Sequence, residues 1–364
     1  MSAAAPPGRP ASSGTLIWEA VDSLIDRSPG LHDLRAHGLH LLAARRRRAQ
    51  GVPMPAELAA EERVAAVVSL MVRPLLERVV PAVEGPILVM KGPEVAHRYP
   101  SPHLRPFGDV DLLVADARAA HRALLAAGFF PVGDPNLYID IHHERPLALP
   151  GLPLVIELHS RPKWIDWTSA PPVAELFEAA VESAVGVDGV STLHPAHHAL
   201  VTAVHSWAHA PLRRLGEIVD VALLANVAER VELCRQAEQW GISRLWRTTE
   251  RVADELLAGG HPAWPLRVWA RNLLRVRERT VLENHLAAWL SGFSGRSFGG
   301  AVAAMTGQIV DDLRPAAEET WRSKGRRTLQ AVGRSSVRLS QHHDELGDEA
   351  FKLRRAPRAA VRGK

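Results

Sequence analysis

Cysteine is nearly absent from this 364-residue chain: the one at Cys234 leaves no partner for an internal disulfide. With no secretory pattern at the start, that usage points to a reducing, cytoplasmic setting. The opening MSAAAPPGRPASSG has neither the basic flank nor the apolar run of a signal peptide. No run of about 18 apolar residues is free of charge or proline, so no membrane span is expected. Aromatic residues are scarce at 5%, and ten of them are Trp against two Tyr. What remains is ordinary for a globular chain, with 46% hydrophobic and 23% charged residues, and the length suffices for a substantial core. The net charge of +4 is unevenly spread. Residues 321–364 carry twelve Lys and Arg against four Asp and Glu, a local +8, which leaves the body at −4. A basic tail of this kind either binds phosphate-rich partners such as RNA or is simply a solvated, loosely ordered end.

Along the chain the pattern changes twice. Residues 1–14 are rich in Ala, Pro, Ser and Gly and read as disordered. Residues 15–84 carry helical spacing, with a basic run Arg45–Arg48 that complements a helix C-terminus and a long amphipathic stretch over 56–80 containing Pro74. Residues 85–170 are mixed. Strands are expected at 87–90, 109–114, 129–132, 137–142 and 154–159, with a helix over 116–127 closed by Gly128. After residue 172 strand signals fade. Helices are expected at 172–184, 196–209, 212–229, 231–240, 243–258, 265–290 and 300–321, and residues 322–364 form the basic tail. The fold class is therefore α+β: a small mixed-sheet core at 85–170, preceded by helices and followed by an all-helical domain at 171–321.

The chemistry concentrates in FGDVDLLV, residues 107–114. Side chains alternate along a strand, so Asp109 and Asp111 share a face while Val110 and Leu112 take the other. Two carboxylates that close repel unless a cation lies between them. Oxygen ligands at this spacing suit Mg²⁺, which takes substrate phosphates as further ligands. Gly108 leaves room for a ligand near the backbone. Upstream, a buried strand runs into Lys91-Gly92, a strand-to-helix turn whose N–H groups can hold phosphate. Downstream, Glu157 interrupts the apolar strand LVIELH, where a carboxylate is costly without a partner.

These residues resemble the DNA polymerase β nucleotidyltransferase superfamily. More closely, ILVMKG…YPSPHLRPFGDVDLLV…GF…VIELH, over about residues 86–160, is similar to bacterial nucleotidyltransferase family proteins marked by Lys-Gly, Arg-x-x-Gly-Asp-x-Asp-Leu-Leu-Val and Glu-Leu-His. A weaker similarity continues through HSWAHAPLRRLGEIVDVALL, residues 205–224. The resemblance implies two Mg²⁺ ions on Asp109, Asp111 and Glu157, an NTP donor, and transfer of a nucleoside monophosphate to a hydroxyl. The acceptor class (small molecule, peptide, protein or RNA) stays open. Lys91, Gly92, Arg105 and Gly108 would hold the nucleotide, with Lys91 and Arg105 neutralising its phosphates. His159, His205 and Arg214 become acceptor-side candidates. One departure stands out: Pro93 follows Gly92 where many members have Ser or Gly, which removes one N–H from the phosphate turn.

Other readings start from the same residues. Asp111 with Glu157-x-His159 imitates a metal-dependent nuclease core, although such cores usually carry Lys in the last position. A non-catalytic protein could retain the fold, yet it would have no reason to keep all three carboxylates. His205 and His209 lie four apart on an expected helix, a zinc-compatible spacing, but position 206 is Ser and no third ligand is fixed. Asp220, amid apolar neighbours, either caps a buried network with Arg213 or Arg214 or helps hold the acceptor. Trp164 and Trp167 could stack on a base or pack against helices.

Overall fold

In the computed structural model, residues 13–28, 30–138, 142–257, 270–315 and 319–338 are described. Three short helices, α1 (Ser13–Asp26), α2 (Leu31–Ala36) and α3 (His40–Ala49), lead into the long α4 (Ala56–Val79). The last of these runs through Pro74 without a break in helix assignment. The arginine run at the end of α3 is spent on neighbours: Arg45 pairs with Asp22 of α1 at 2.5 Å, Arg46 with Asp26 at 2.7 Å, and Arg48 with Glu62 of α4 at 2.5 Å. Its role is to clamp the N-terminal helices together.

The sheet has seven strands. They are β1 (Ile87–Val89), β2 (Asp109–Val114), β3 (Phe130–Pro131), β4 (Leu147–Ala148), β5 (Val155–His159), β6 (Val181–Glu182) and β7 (Val190–Thr192), in the order β3-β4-β5-β2-β1-β7-β6. Between β1 and β2 lies the single turn α5 (Pro93–Ala96), and α6 (Ala117–Ala126) follows β2, capped by the Asp116 side chain on Ala119 N–H. The central strand β2 pairs antiparallel with β1 and parallel with β5, and β7 lies parallel on the other side of β1.

Alternation along β2 sorts the two faces. Val110, Leu112 and Val114 pack with Val68, Val72, Leu75 and Leu76 of α4 and with Leu124 of α6. Leu113 belongs to the opposite cluster, built on α1, α3, α8 (Pro195–His209), α9 (Leu215–Ala225) and α11 (Ser243–Leu257). Asp109 and Asp111 share Leu113's parity, so the sheet presents them to the α8 and α9 side.

Several expectations need correction. The strand expected at 137–142 is not there: residues 135–138 make a 3-10 turn, and 139–141 lie outside the described residues. Pairing falls instead to β4, five residues later. The helix expected over 172–184 stops as α7 (Val173–Glu178), and β6 and β7 then return to the sheet. The sheet thus extends to residue 192, past the boundary expected at 170, and the region 171–321 is not wholly helical. The helix expected over 265–290 is divided into Arg271–Leu274 and Val281–Leu290, with Val276 at φ 45° between them; 258–269 lie outside the described residues. The basic tail is helical over Trp321–Arg338, and 339–364 lie outside the described residues, as does most of 1–14. No helix among the described residues is long and apolar enough to cross a membrane.

His37, 1% exposed, ties three segments together. Its Nε2 donates to Arg277 O at 2.8 Å, while its Nδ1 accepts from Leu215 N–H at 3.2 Å. Gly216 N–H donates to His37 O at 2.9 Å, an approach so close that a Cβ at Gly216 would stand 2.9 Å from that oxygen. A second proton on the ring would put N–H against N–H at Nδ1. Burial pushes the His37 pKa down to about 4, helped by the charges of Arg279 and Arg214 and opposed by the Arg277 hydrogen bond and Asp33. The unfolded chain therefore binds a proton between about pH 6.5 and 4 that the fold refuses, and stability falls as pH drops through that window. At pH 5 the loss is about 2 kcal/mol from this residue. Thermal melts of the parent and His37→Gln at pH 7 and pH 5 check this. The drop between the two pH values should shrink by about 2 kcal/mol in the variant, and an equal drop in both proteins would dismiss the assignment.

Candidate active site

Strand pairing assembles the site. Parallel register sets Asp109 opposite Val155, Asp111 opposite Glu157 and Leu113 opposite His159. Side chains at 109, 111, 157 and 159 consequently emerge on one face of two adjacent strands, with Asp111 and Glu157 side by side. Asp111 is 2% exposed and His159 1%, while Asp109 and Glu157 are half-buried. Single ligand atoms of Asp111, Glu157 and His159 lie within 4.8 Å of one another. Asp109 is outside that tight set, although its carboxyl feels both neighbours: burial raises its pKa, and the charges of Asp111 and Glu157 raise it further against Lys91 and Arg105.

Lys91 reaches this cluster from the turn after β1. Its Nζ lies 3.2 Å from Asp111 Oδ1 and 2.8 Å from Nε2 of His205 on α8. Burial alone would raise the Asp111 pKa, but Lys91 and His159 hold that carboxyl well below the usual range. Burial, then the Lys91 charge, pushes His205 well below the ordinary histidine value, so its Nε2 is free to accept from Lys91. The chain of contacts runs on: His205 meets His209 at 3.2 Å, and His209 meets Lys163 Nζ at 2.8 Å. His205 is thus brought near the carboxylates through Lys91. Arg214 is not: it stands exposed at the start of α9, where Glu217 and His37 feel its charge.

The turn that carries Lys91 depends on glycine. Gly92 has φ 57° and ψ −113°, and a Cβ there would stand 2.8 Å from Asp109 O. At Gly108 a Cβ would meet nothing within 4 Å, so the space expected beside the start of β2 is open.

Arg105 departs from its expected role. Its Nε and Nη2 grip Asp220 of α9 at 2.8–3.1 Å, and its Nη1 donates to Gly92 O at 3.1 Å. Tyr99 OH donates to the same carboxylate at 2.7 Å. Asp220 is therefore partnered by Arg105 and Tyr99, not by Arg213 or Arg214. All three guanidinium nitrogens are committed to holding the Lys91-Gly92 turn against α9, which leaves little for a triphosphate.

Three neighbours were missed by sequence reasoning. His143 bridges antiparallel to His159, and its Nε2 lies 3.8 Å from Glu157 Oε2. The His142 ring centroid is 5.3 Å from that of His159, and burial drives its pKa down to about 2. Lys163 arrives from the segment after β5. The adjacent His pair was visible in the chain, but nothing local tied it to Glu157.

The fit of a cation rests on the donors. Three carboxylates meet one ammonium and His159, whose pKa its contacts with Asp111 and Glu157 raise against burial, so negative charge stays in excess. Both ring nitrogens of buried His159 lack a directed hydrogen bond. Its Nε2 is 3.0 Å from Asp111 Oδ1, with that oxygen off the ring N–H axis. A divalent ion would satisfy both the charge and the orphaned nitrogen. The residues fit it.

No curated protein and no solved structure matches this chain. A family model described as "Uncharacterised nucleotidyltransferase" matches residues 27–258, which begins just after α1 and takes in α2 to α4, every strand of the sheet and helices α8, α9 and α11. With the carboxylates, the Lys91 turn and the α8 histidines all inside that match, the chain belongs to this family of uncharacterised nucleotidyltransferases.

Proposed function

We propose that this protein transfers a nucleoside monophosphate from an NTP to an acceptor hydroxyl with the help of divalent cations, and that it releases pyrophosphate. The observation that carries the reading is the register that sets Asp111 beside Glu157 with Asp109 two residues before it. Asp109 and Asp111 offer oxygen donors of the kind Mg²⁺ shares with nucleotide phosphates, and Asp111 with Glu157 offers a second position. Bound there, the ions would stabilise charge on the attacking and leaving oxygens of an in-line displacement.

The chain's own residues have separate tasks. Lys91 Nζ, already beside Asp111, is placed to move onto a phosphate oxygen, with His205 Nε2 holding it in the meantime. Lys163, from the segment after β5, adds a second cation beside His209 at the end of α8. Arg105 fixes the turn through Gly92 O and so keeps Lys91 aimed. Glu157 Oε2, on a side chain 22% exposed, is the group for orienting the acceptor hydroxyl or taking its proton. The small-molecule, peptide, protein and RNA classes of acceptor all remain compatible with this arrangement.

Parallel incubations with α-labelled and γ-labelled NTPs, each with Mg²⁺ or Mn²⁺ and with metabolite or RNA extracts, test the reading. The α-label should enter a discrete product while the γ-label leaves only as pyrophosphate. Passage of the γ-label to the acceptor, or no α-label transfer from any NTP, would overturn it.

A further inference from the structure

We infer that the divalent ion on the Glu157 side of the site takes a histidine ligand, His159, and that this position consequently selects Mn²⁺ over Mg²⁺. The inference rests on the metal dependence proposed above and adds the donor set and the identity of the ion.

Geometry supplies the argument. Asp111, Glu157 and His159 are the residues whose ligand atoms converge within 4.8 Å, whereas Asp109 stands outside. Nε2 of His159 is 3.0 Å from Asp111 Oδ1 and 3.6 Å from Glu157 Oε2, so it is directed into the space between the two carboxylates. At 1% exposure it has no water to turn to, and neither ring nitrogen has a directed hydrogen bond. A buried imidazole left so is costly unless something binds it. Pairing on both sides fixes the backbone that carries the ring, since His159 is the last residue of β5 and bridges antiparallel to His143.

The donor set then selects among ions. Mg²⁺ is hard, prefers oxygen and keeps its waters; imidazole nitrogen is a better ligand for Mn²⁺ and the later divalent metals. Two carboxylate oxygens and one imidazole, with the rest of the shell left to water and substrate, suit Mn²⁺. The oxygen-only pair Asp109 and Asp111 stays suited to Mg²⁺ carried in with the nucleotide. His143, with Nε2 3.8 Å from Glu157 Oε2, is the competing nitrogen.

The full-length protein without nucleotide is titrated with Mn²⁺ by electron paramagnetic resonance, and the bound ion is examined for nitrogen spin-echo modulation in natural and ¹⁵N-histidine-labelled protein. One imidazole coupling is expected, and it should change with the label. Mn²⁺ should bind about tenfold or more tightly than Mg²⁺. His159→Gln should remove the coupling and weaken Mn²⁺ by about tenfold or more, while Mg²⁺ affinity moves less; His143→Gln should keep the coupling. Bound Mn²⁺ without nitrogen modulation in the parent protein overturns the inference whatever the variants do, as does a coupling that survives His159→Gln and disappears in His143→Gln. Failure of both ions to bind would sink the metal-dependent reading as well. Mn²⁺-supported α-label transfer without nitrogen coupling would sink the histidine ligand alone.

Discussion

Replacing Asp111 by Asn is expected to lower α-label transfer by about a thousandfold or more, equivalent to about 4 kcal/mol of transition-state stabilisation, with the fold retained. Asp111 is the carboxylate on which every other feature of the site converges: Lys91 Nζ at 3.2 Å, His159 Nε2 at 3.0 Å, and Glu157 directly across the strand pair. Asn keeps the shape and one acceptor oxygen but removes the charge, so any cation bound there loses its strongest attraction. Two opposing effects limit the damage to stability. Lys91 loses its counter-charge at a site where its side chain is only 15% exposed, but the repulsion that Asp109 and Glu157 exert on Asp111 disappears with the charge. The melting temperature should therefore change little while turnover collapses. Single-turnover assays at saturating NTP and metal, beside thermal melts, separate the two quantities. Activity within tenfold of the parent in a folded Asp111→Asn protein would remove Asp111 from the chemistry and the metal proposal with it.

The parts of the site legible in the sequence are those whose signal is local. Asp109 and Asp111 could be placed on one face because alternation is a property of a single strand, and Glu157 stood out as a charge inside an apolar run. The Lys91-Gly92 turn was visible as an apolar strand run ending in Lys-Gly, and the φ 57° and ψ −113° at Gly92 are a backbone only glycine tolerates there. Pairings between distant segments were hidden. Asp220 visibly needed a partner, but its two nearest arginines in the chain were the natural candidates, and the true one, Arg105, lies 115 residues away. Lys163, His142 and His143 carry no pattern of their own. In the fold, β4, β6 and β7 have two or three residues each, too few for a period of two to register, and β7 reaches β1 only after the chain has crossed half the sheet. The break in the helix expected over 265–290 falls near Val276, whose left-handed φ is unusual for a β-branched residue and so leaves no warning in the composition.

Removing the Arg105 guanidinium should destabilise the protein by about 3–5 kcal/mol, which makes Arg105→Ala a structural lesion first and a kinetic one second. Arg105 and Asp220 form a buried bidentate pair, with the Asp220 side chain 7% exposed and the Arg105 side chain 16%. Asp220 also accepts from Tyr99 OH, and Arg105 also donates to Gly92 O. Truncating either member leaves the other charge buried without its counter-ion, and that orphaned charge, more than the lost attraction, is what costs. The double variant Arg105→Met with Asp220→Leu removes both charges and restores apolar volume. It should melt above either single variant while falling short of the parent, because Tyr99 OH and Gly92 O lose their partners in it. Nucleotide handling gives the second readout. If Arg105 acts by holding the turn, the double variant should lose turnover through a misaimed Lys91, and Lys91→Ala added to it should cost little more. Were Arg105 instead a direct phosphate ligand, Arg105→Ala would melt with the parent and raise the KM for NTP, with the Lys91 effect undiminished. The network of four short contacts around Asp220 argues for the first outcome, since a guanidinium engaged through all three nitrogens would have to break a buried ion pair before it could meet a triphosphate.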